Sequence, residues 1–465
     1  MPAFHKALAT IRPGNSTLPL YLAGLARARA DWLVGINMTR TCTLMNKQHR
    51  GVLSVGRVQT PALRLVVDRD REILSFVPRP YWGVEVRLRE DTTRFLARWL
   101  PDDTHCDSEG RCICESIARQ AAGRLQMQST ARVENITTRR IKTPPPLAFS
   151  LSALQQTCSK LWGMGAQQVL DIAQRLYETH KATTYPRTDC EFLPLSMYAE
   201  APQTVAALVA SDATLQSVAV RLNLQQRSRL WNDNKITAHH GIIPTLKTVD
   251  LSRMTEEETK VYGLIRSRFL AQFLPEHEEG HTELRLSCVG ETLIAKGTTL
   301  VASGWKQLFT HELNESAPEE TQRLPLLQQG QTCAVEQVDV RARQTRAPEH
   351  YTEGTLVSAM KNAARFVADS QLKQRLKENA GIGTEATRAG IIQTLLRRGY
   401  LEKRRHFLLA TDTAHHLIDV LPYSLKDPGT TAFQEQMLDE VAAGRMTLEA
   451  FLMQQQRHVE SLVNL

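Results

Sequence analysis

No uninterrupted apolar run in the sequence approaches the ~18 residues of a membrane-spanning helix, which argues against a helical membrane protein. There is no charged-then-apolar leader of the kind that directs secretion. Cys-x-x-Cys pairs are missing as well. The eight cysteines, at 42, 106, 112, 114, 158, 190, 288 and 333, are scattered, a pattern that suits a reducing cytoplasm better than a disulfide framework. Cys106, Cys112 and Cys114 with His105 approach metal-ligand spacing, but without a paired motif no zinc site is expected there. Nor does any internal repeat recur at a fixed period.

What is present is the composition of a globular chain, 42% hydrophobic and 23% charged. At 465 residues it is too long for one core, and roughly two to four domains are expected. The net charge of +8 is permissive for a polyanionic partner and no more. Its distribution says more. Arg27, Arg29, Arg40, Arg50, Arg57 and Arg64 punctuate the N-terminal stretch, Arg139, Arg140 and Lys142 form a second patch, and Arg397, Arg398, Lys403, Arg404 and Arg405 a third. Taken singly, each cluster reads as solvated surface.

Periodicity divides the chain into alternating textures. Residues 18–38 and the stretch after Pro61 carry helical spacing, with Arg27 and Asp31 four apart on one face. From Tyr81 to about Arg98 the pattern alternates, with Val84, Val86 and Leu88 inward, and residues 132–141 read as another strand. Pro144-Pro145-Pro146 is a stiff linker suited to a domain boundary. Helical texture then runs to about Leu274, strand alternation returns over 281–340, and helices resume from 351. Thr384 or Thr387 is placed to cap a helix burying Ile391, Ile392, Leu395 and Leu396, followed by a basic hairpin, an order like that of a winged helix.

One segment carries chemistry. In Thr183-Thr184-Tyr185-Pro186-Arg187-Thr188-Asp189-Cys190, the proline keeps Tyr185 out of a helix. In extended backbone Arg187 can share a face with Tyr185. A phenol beside a guanidinium suits attack on a phosphodiester, because the cation offers paired donors to the phosphate and favours phenolate. A lone tyrosine is ordinarily a packing residue. The other motifs decide between the two.

That run, followed by Ala238-His239-His240-Gly241-Ile242-Ile243-Pro244-Thr245, resembles the nucleophile region of type IA DNA topoisomerases, most closely topoisomerase III. The blocks Ala26–Gly35, Leu53-Ser54-Val55-Gly56-Arg57-Val58-Gln59-Thr60-Pro61, Thr143–Leu147 and Gly381-Ile382-Gly383-Thr384-Glu385-Ala386-Thr387-Arg388-Ala389 fall in the family's order. The resemblance implies a multidomain α+β toroid core, with a helical base, a β-rich arch and a helical tyrosine domain bearing winged-helix-like elements. Its divisions would be 1–75 (base, first part), 76–143 (arch), 144–276 (tyrosine domain), 277–342 (arch, second part) and 343–465 (base, second part). It implies ATP-independent breakage, passage and rejoining of single strands through a 5′-phosphotyrosine. Tyr185 would be the nucleophile, Arg187 the phosphate ligand and His239 a phosphate or acid–base contact, while Arg27, Asp31, Arg57, Gln59, Thr387 and Arg388 would face single-stranded DNA. A monomer is implied, in the cytoplasm.

The family's Toprim domain binds magnesium through an early glutamate and a DxDxE cluster. This sequence opens at Phe4-His5-Lys6-Ala7-Leu8, which resembles the segment just after that domain, so the magnesium ligands are expected to be missing. Asp68-Arg69-Asp70-Arg71-Glu72 has the literal pattern but continues an apolar helix, and reads as a solvated helix face. Zinc-binding C-terminal modules are not expected either. Two readings stay open: an enzyme, complete or complemented by a Toprim-bearing polypeptide or helicase, and a catalytically deficient single-strand DNA gate or clamp.

Overall fold

The computed structural model describes residues 8, 9, 11, 13–46, 51–236, 238–309, 322–367, 370, 373, 374 and 381–463. Phe4 to Ala7 and Arg50 lie outside the described residues.

The alternating segments close into a barrel. Strands β1 (Pro80–Glu90), β2 (Thr93–Leu100) and β3 (Thr130–Thr143) come before the helical middle of the chain, and β4 (His277–Cys288), β5 (Glu291–Ala302) and β6 (Thr332–Gln344) after it. Their order is β1-β2-β5-β4-β3-β6, every neighbouring pair antiparallel. The register Val86↔Val338 joins the two halves along β1 and β6. Period-two apolar residues put Val84, Val86, Leu88, Phe95, Ala97, Leu284, Leu286, Leu293 and Ala295 in one buried cluster. Helix α1 (Glu115–Gln126) joins that cluster through Ala118, Ala121, Ala122 and Leu125, and the sequence reading did not anticipate it.

Between the barrel halves lies a helical unit. It contains α2 (Leu151–Trp162), α3 (Ala166–Glu178), α4 (Ala201–Ser211) and α5 (Glu256–Ala271). Phe149, Leu154, Val169, Ile172, Leu176, Leu208, Tyr262, Ile265 and Phe269 share its core. Burial pushes the Tyr262 phenol up to about 12. The expected helical run to Leu274 is broken, because Asp212, Asn232 and Asp250 turn their side chains onto the amides of Thr214, Asn234 and Ser252. Such local bonds offer the backbone an alternative to the helix.

Both chain ends form the third unit. The long helix α6 (Leu18–Met45) and α7 (Gln59–Leu74) pack with α8 (Glu353–Lys361), α9 (Arg388–Arg397), α10 (Asp412–Val420), α11 (Pro428–Ala442) and α12 (Leu448–Val463). Strands β7 (Tyr351–Thr352), β8 (Leu401–Arg404) and β9 (Phe407–Ala410) make a small sheet in the order β7-β9-β8 beside α9. The buried face of α9 is Ala389, Ile392 and Leu395, with Ile391 and Leu396 partly covered. Neither threonine caps it by side chain. Thr387 instead receives the Thr384 amide at 2.9 Å and closes the preceding turn.

The run from Asp68 to Glu72 lies within α7, as helix. Asp68 and Glu72 pair with Arg64 and Arg69. Asp70 departs from the solvated reading: it is 5% exposed, bonded to the His350 ring at 2.8 Å and the Ala410 amide at 2.7 Å. It ties the helix to the small sheet.

Candidate functional site

Tyr185 lies in irregular backbone after α3, in a segment held by a second run about sixty residues further along the chain. The Thr184 amide donates to Ile243 O at 2.9 Å, and Thr184 Oγ1 accepts from the Ile243 amide at 3.0 Å. Further along, the Thr245 amide donates to Ala182 O at 3.0 Å. Gly241 is needed at this crossing, since a Cβ there would come within 2.7 Å of the Ala148 Cβ. The pairing delivers His239 to the tyrosine: the two rings stack with centroids 5.0 Å apart and planes 23° off parallel. Tyr177, from α3, meets Tyr185 edge-on at 5.7 Å.

Tyr185 is 37% exposed and packs against two rings, and among the described residues its hydroxyl makes no hydrogen bond. Arg187 is exposed, and among the described residues it makes no hydrogen bond or ion pair. His240 instead turns its Nδ1 to Gly241 O at 2.9 Å. An exposed tyrosine, a neighbouring imidazole and a cation without a protein partner form a constellation that a phosphate could complete.

A groove runs along the base. Arg27, Asp31, Arg57, Gln59 and Thr387 all line a cavity of about 980 Å³, together with Thr39, Arg40, Ser54, Gly383, Thr384, Ile391, Arg398 and Glu435. Most of these polar groups are already engaged. Arg57 is 6% exposed and bridges Asp31 at 2.8 Å and Glu435 at 2.7 Å. Burial alone would press its guanidinium down, but the two carboxylates hold it above its ordinary value. Glu435 also takes Arg27, so one carboxylate orders two arginines. Gln59 Oε1 accepts from Arg398 at 2.7 Å. Glu435 escaped the sequence reading because it lies on α11, far along the chain, with no local pattern to mark it. Arg40 is an exposed cation on this wall.

Arg388 corrects the sequence expectation. It is fully buried, donating to Glu385 at 2.8 Å, Ser152 Oγ at 3.2 Å, Ile382 O at 3.1 Å and Gly383 O at 2.9 Å. Burial pulls its guanidinium below the ordinary value, with Glu385 and then Asp189 opposing. A residue so enclosed cannot touch DNA in the groove. Asp189, close enough to act on it, is four residues after Tyr185, so Arg388 lies where the tyrosine segment meets the groove loop.

Comparison with known proteins places this geometry. The profile of the DNA topoisomerase family matches residues 16–453. The chain belongs to that family. It is 39% identical over 465 residues to "DNA topoisomerase 3" of Haemophilus influenzae, covering 97% of this chain and 71% of the relative. The counterpart in Vibrio cholerae is 39% identical over 472 residues, covering 100% of this chain and 72% of the relative. Among solved structures, full-length topoisomerase I from Thermotoga maritima superposes with a TM-score of 0.73 at 24% identity, over 99% of this chain and 71% of that one. This topoisomerase III-like chain thus has the multidomain α+β fold of the type IA enzymes, which are isomerases.

Magnesium, the metal associated with this family, does not fit the residues at hand. Among the described residues no group of three or more His, Cys, Asp or Glu side chains could hold a metal ion. The carboxylates of the groove are committed to arginines. Cys106, Cys112 and Cys114 are free thiols and form no metal cluster there either. No helix among the described residues is long and apolar enough to cross a membrane.

Proposed function

We propose that this topoisomerase III-like chain breaks and rejoins single-stranded DNA at Tyr185 without ATP. The observation that carries the reading is the exposed Tyr185, stacked on His239, with Arg187, which has no partner among the described residues, two positions away. The strand lies along the Arg27–Arg40–Gln59–Thr387 groove and leads to the tyrosine across the Asp189–Arg388 junction.

In the forward step the phenol oxygen bonds to phosphorus and the bond to the 3′ oxygen breaks. The phenol proton ends on that 3′ oxygen. A 5′-phosphotyrosine and a free 3′ hydroxyl result, and the reverse attack restores both original bonds. A phenolate is a far better leaving group than an alkoxide, which keeps the step reversible. Arg187 takes the non-bridging phosphate oxygens and stabilises their developing charge. His239 passes the proton. The division of labour follows the textures of the chain: a base (1–75 and 343–465) that binds, a tyrosine domain (144–276) that cuts, and a barrel (76–143 and 277–342) that joins them in a monomer. Cytoplasmic localisation accords with the eight free thiols.

The test is a covalent adduct. The chain is incubated with labelled single-stranded oligonucleotide and magnesium, then denatured. An adduct that Tyr185→Phe cannot form supports the reading. Tight binding with no adduct favours a single-strand clamp. Addition of a Toprim-bearing polypeptide or a helicase then shows whether a partner restores strand passage.

A further inference from the structure

Helix α2 begins at a three-way junction. Its first amide, Leu151 N, donates to Thr188 O at 2.9 Å, three residues beyond Tyr185. The next amide, Ser152 N, donates to Glu385 Oε2 at 2.7 Å, and the Ser152 hydroxyl donates to the same oxygen. The third, Ala153 N, is left to the helix's own cap, Ser150 Oγ, at 3.4 Å. First-turn amides have no partner within their helix, so each is free to hold something else. Here consecutive amides hold the nucleophile segment on one side and the groove loop on the other.

Glu385 belongs to that groove loop. Gly383, Thr384 and Thr387 around it line the cavity, while Glu385 itself is turned inward and 6% exposed. It stays neutralised by its own unit, through Arg388 at 2.8 Å and Lys361 at 3.8 Å. The bonds to Ser152 therefore couple two units without leaving a bare charge if they part. A second carboxylate repeats the arrangement: Glu353 accepts from Ala166 N at 2.7 Å, at the start of α3, and keeps Lys403 at 3.1 Å. Gly165, which precedes α3, brings no capping side chain, and a Cβ there would come within 3.0 Å of the Glu353 carboxylate. The two helices that precede the Tyr185 segment thus each receive an acid of the other unit at their first turn.

We propose that Glu385 is a positioning residue for cleavage: through the first turn of α2 it registers Thr188, and with it Tyr185, against the strand held in the groove. The proposal rests on the reading of Tyr185 as nucleophile. Glu385 touches neither the phosphate nor the reacting oxygen, so its loss lowers the rate of adduct formation and leaves binding intact.

Single-turnover adduct formation at saturating oligonucleotide, the Kd for the same oligonucleotide, and hydrogen exchange at the Leu151 and Ser152 amides together test it. Glu385→Gln is expected to slow adduct formation about ten-fold or more while Kd moves by less than about two-fold. Exchange at Ser152 and Leu151 should quicken together, and Glu385→Asp should recover part of the rate. Ser152→Ala, which leaves the Glu385–Arg388 pair in place, should change rate and exchange in the same direction by less. It carries the test if Glu385→Gln does not fold. An unchanged rate in both variants, with exchange at Ser152 raised, overturns the proposal. So does faster exchange at Ser152 while Leu151 stays protected, since the link to Thr188 would then not exist. If the unsubstituted chain forms no Tyr185 adduct, the nucleophile reading fails, and the exchange measurement still decides whether Glu385 governs the Thr188 contact.

Discussion

The groove and the tyrosine site use arginine in opposite ways. Arg57 on the groove wall and Arg388 behind the groove loop are buried and matched to carboxylates, and they hold a shape. At the tyrosine, Arg187 is exposed and has no partner among the described residues. A guanidinium that has its carboxylate already is poorly placed to bind a phosphate, because both compete for the same fork of donors. Arginines that hold a shape are therefore distinguishable from exposed ones such as Arg187 and Arg40 by how far their charge is neutralised within the fold.

Exchanging the insults should expose the contrast most sharply. Arg187→Ala is expected to cut adduct formation ~10²–10³-fold, in line with the loss of one charge-stabilising donor. Its melting midpoint should hold, since exposed substitutions usually cost no more than ~0.5 kcal/mol. Arg388→Ala should do the reverse at the level of the fold and cost ~3–5 kcal/mol, because it strips a buried carboxylate of its main partner. Chemical denaturation and the adduct assay on both variants settle the matter. Equal stability of the two would erase the distinction.

A smaller effect sharpens the same comparison within the groove. Arg40→Ala, on the exposed wall, should lower the slope of log K against log salt by ~0.7 for a single strand. A truncation that left the slope unchanged would mean that the strand runs elsewhere.

The smallest concerns pH. Burial pushes the Glu258 carboxyl up, but Arg175 at 2.5 Å, the Thr255 amide and His180 more than offset this and hold it below its ordinary value. A depressed carboxyl stabilises the fold above its unfolded pKa of about 4.3, and the contribution disappears as pH falls through the folded value. Glu258→Gln should cost ~1 kcal/mol at pH 7, because the amide can still accept from Thr255 N but loses the charge-assisted bond to Arg175, and the variant should lose less of its melting temperature on acidification than the parent. Parallel melting curves at pH 7 and pH 3 compare the two.

Much of the fold was readable because period-two and helical spacing act locally. Val84, Val86 and Leu88 announce β1, and Leu284 and Leu286 announce β4, whatever the strands pair with. Legibility fades where small or polar residues decide. Helix α1 went unseen because its buried face is mostly alanine, and the stretch after α4 looked helical because its Asx turns carry no hydrophobic period. At the site, the tyrosine and histidine runs were legible as motifs, while their stacking depends on bonds between Thr184 and Ile243. Arg388 was misjudged for a related reason. A motif names the residue and not the direction in which its side chain turns.

The sequence alone determined the strongly periodic elements, the order of the motifs, and the identity of the phenol and cation in Thr183–Cys190, because these depend on neighbours along the chain. Only the tertiary structure decided which charges remain available. Asp31 and Glu435 lie 26 and 378 residues from Arg57 yet neutralise it together, and Glu385 meets Ser152 across 233 residues. Burial and pairing are properties of the packed chain, and they separate an arginine that holds the groove in shape from one that can receive a phosphate.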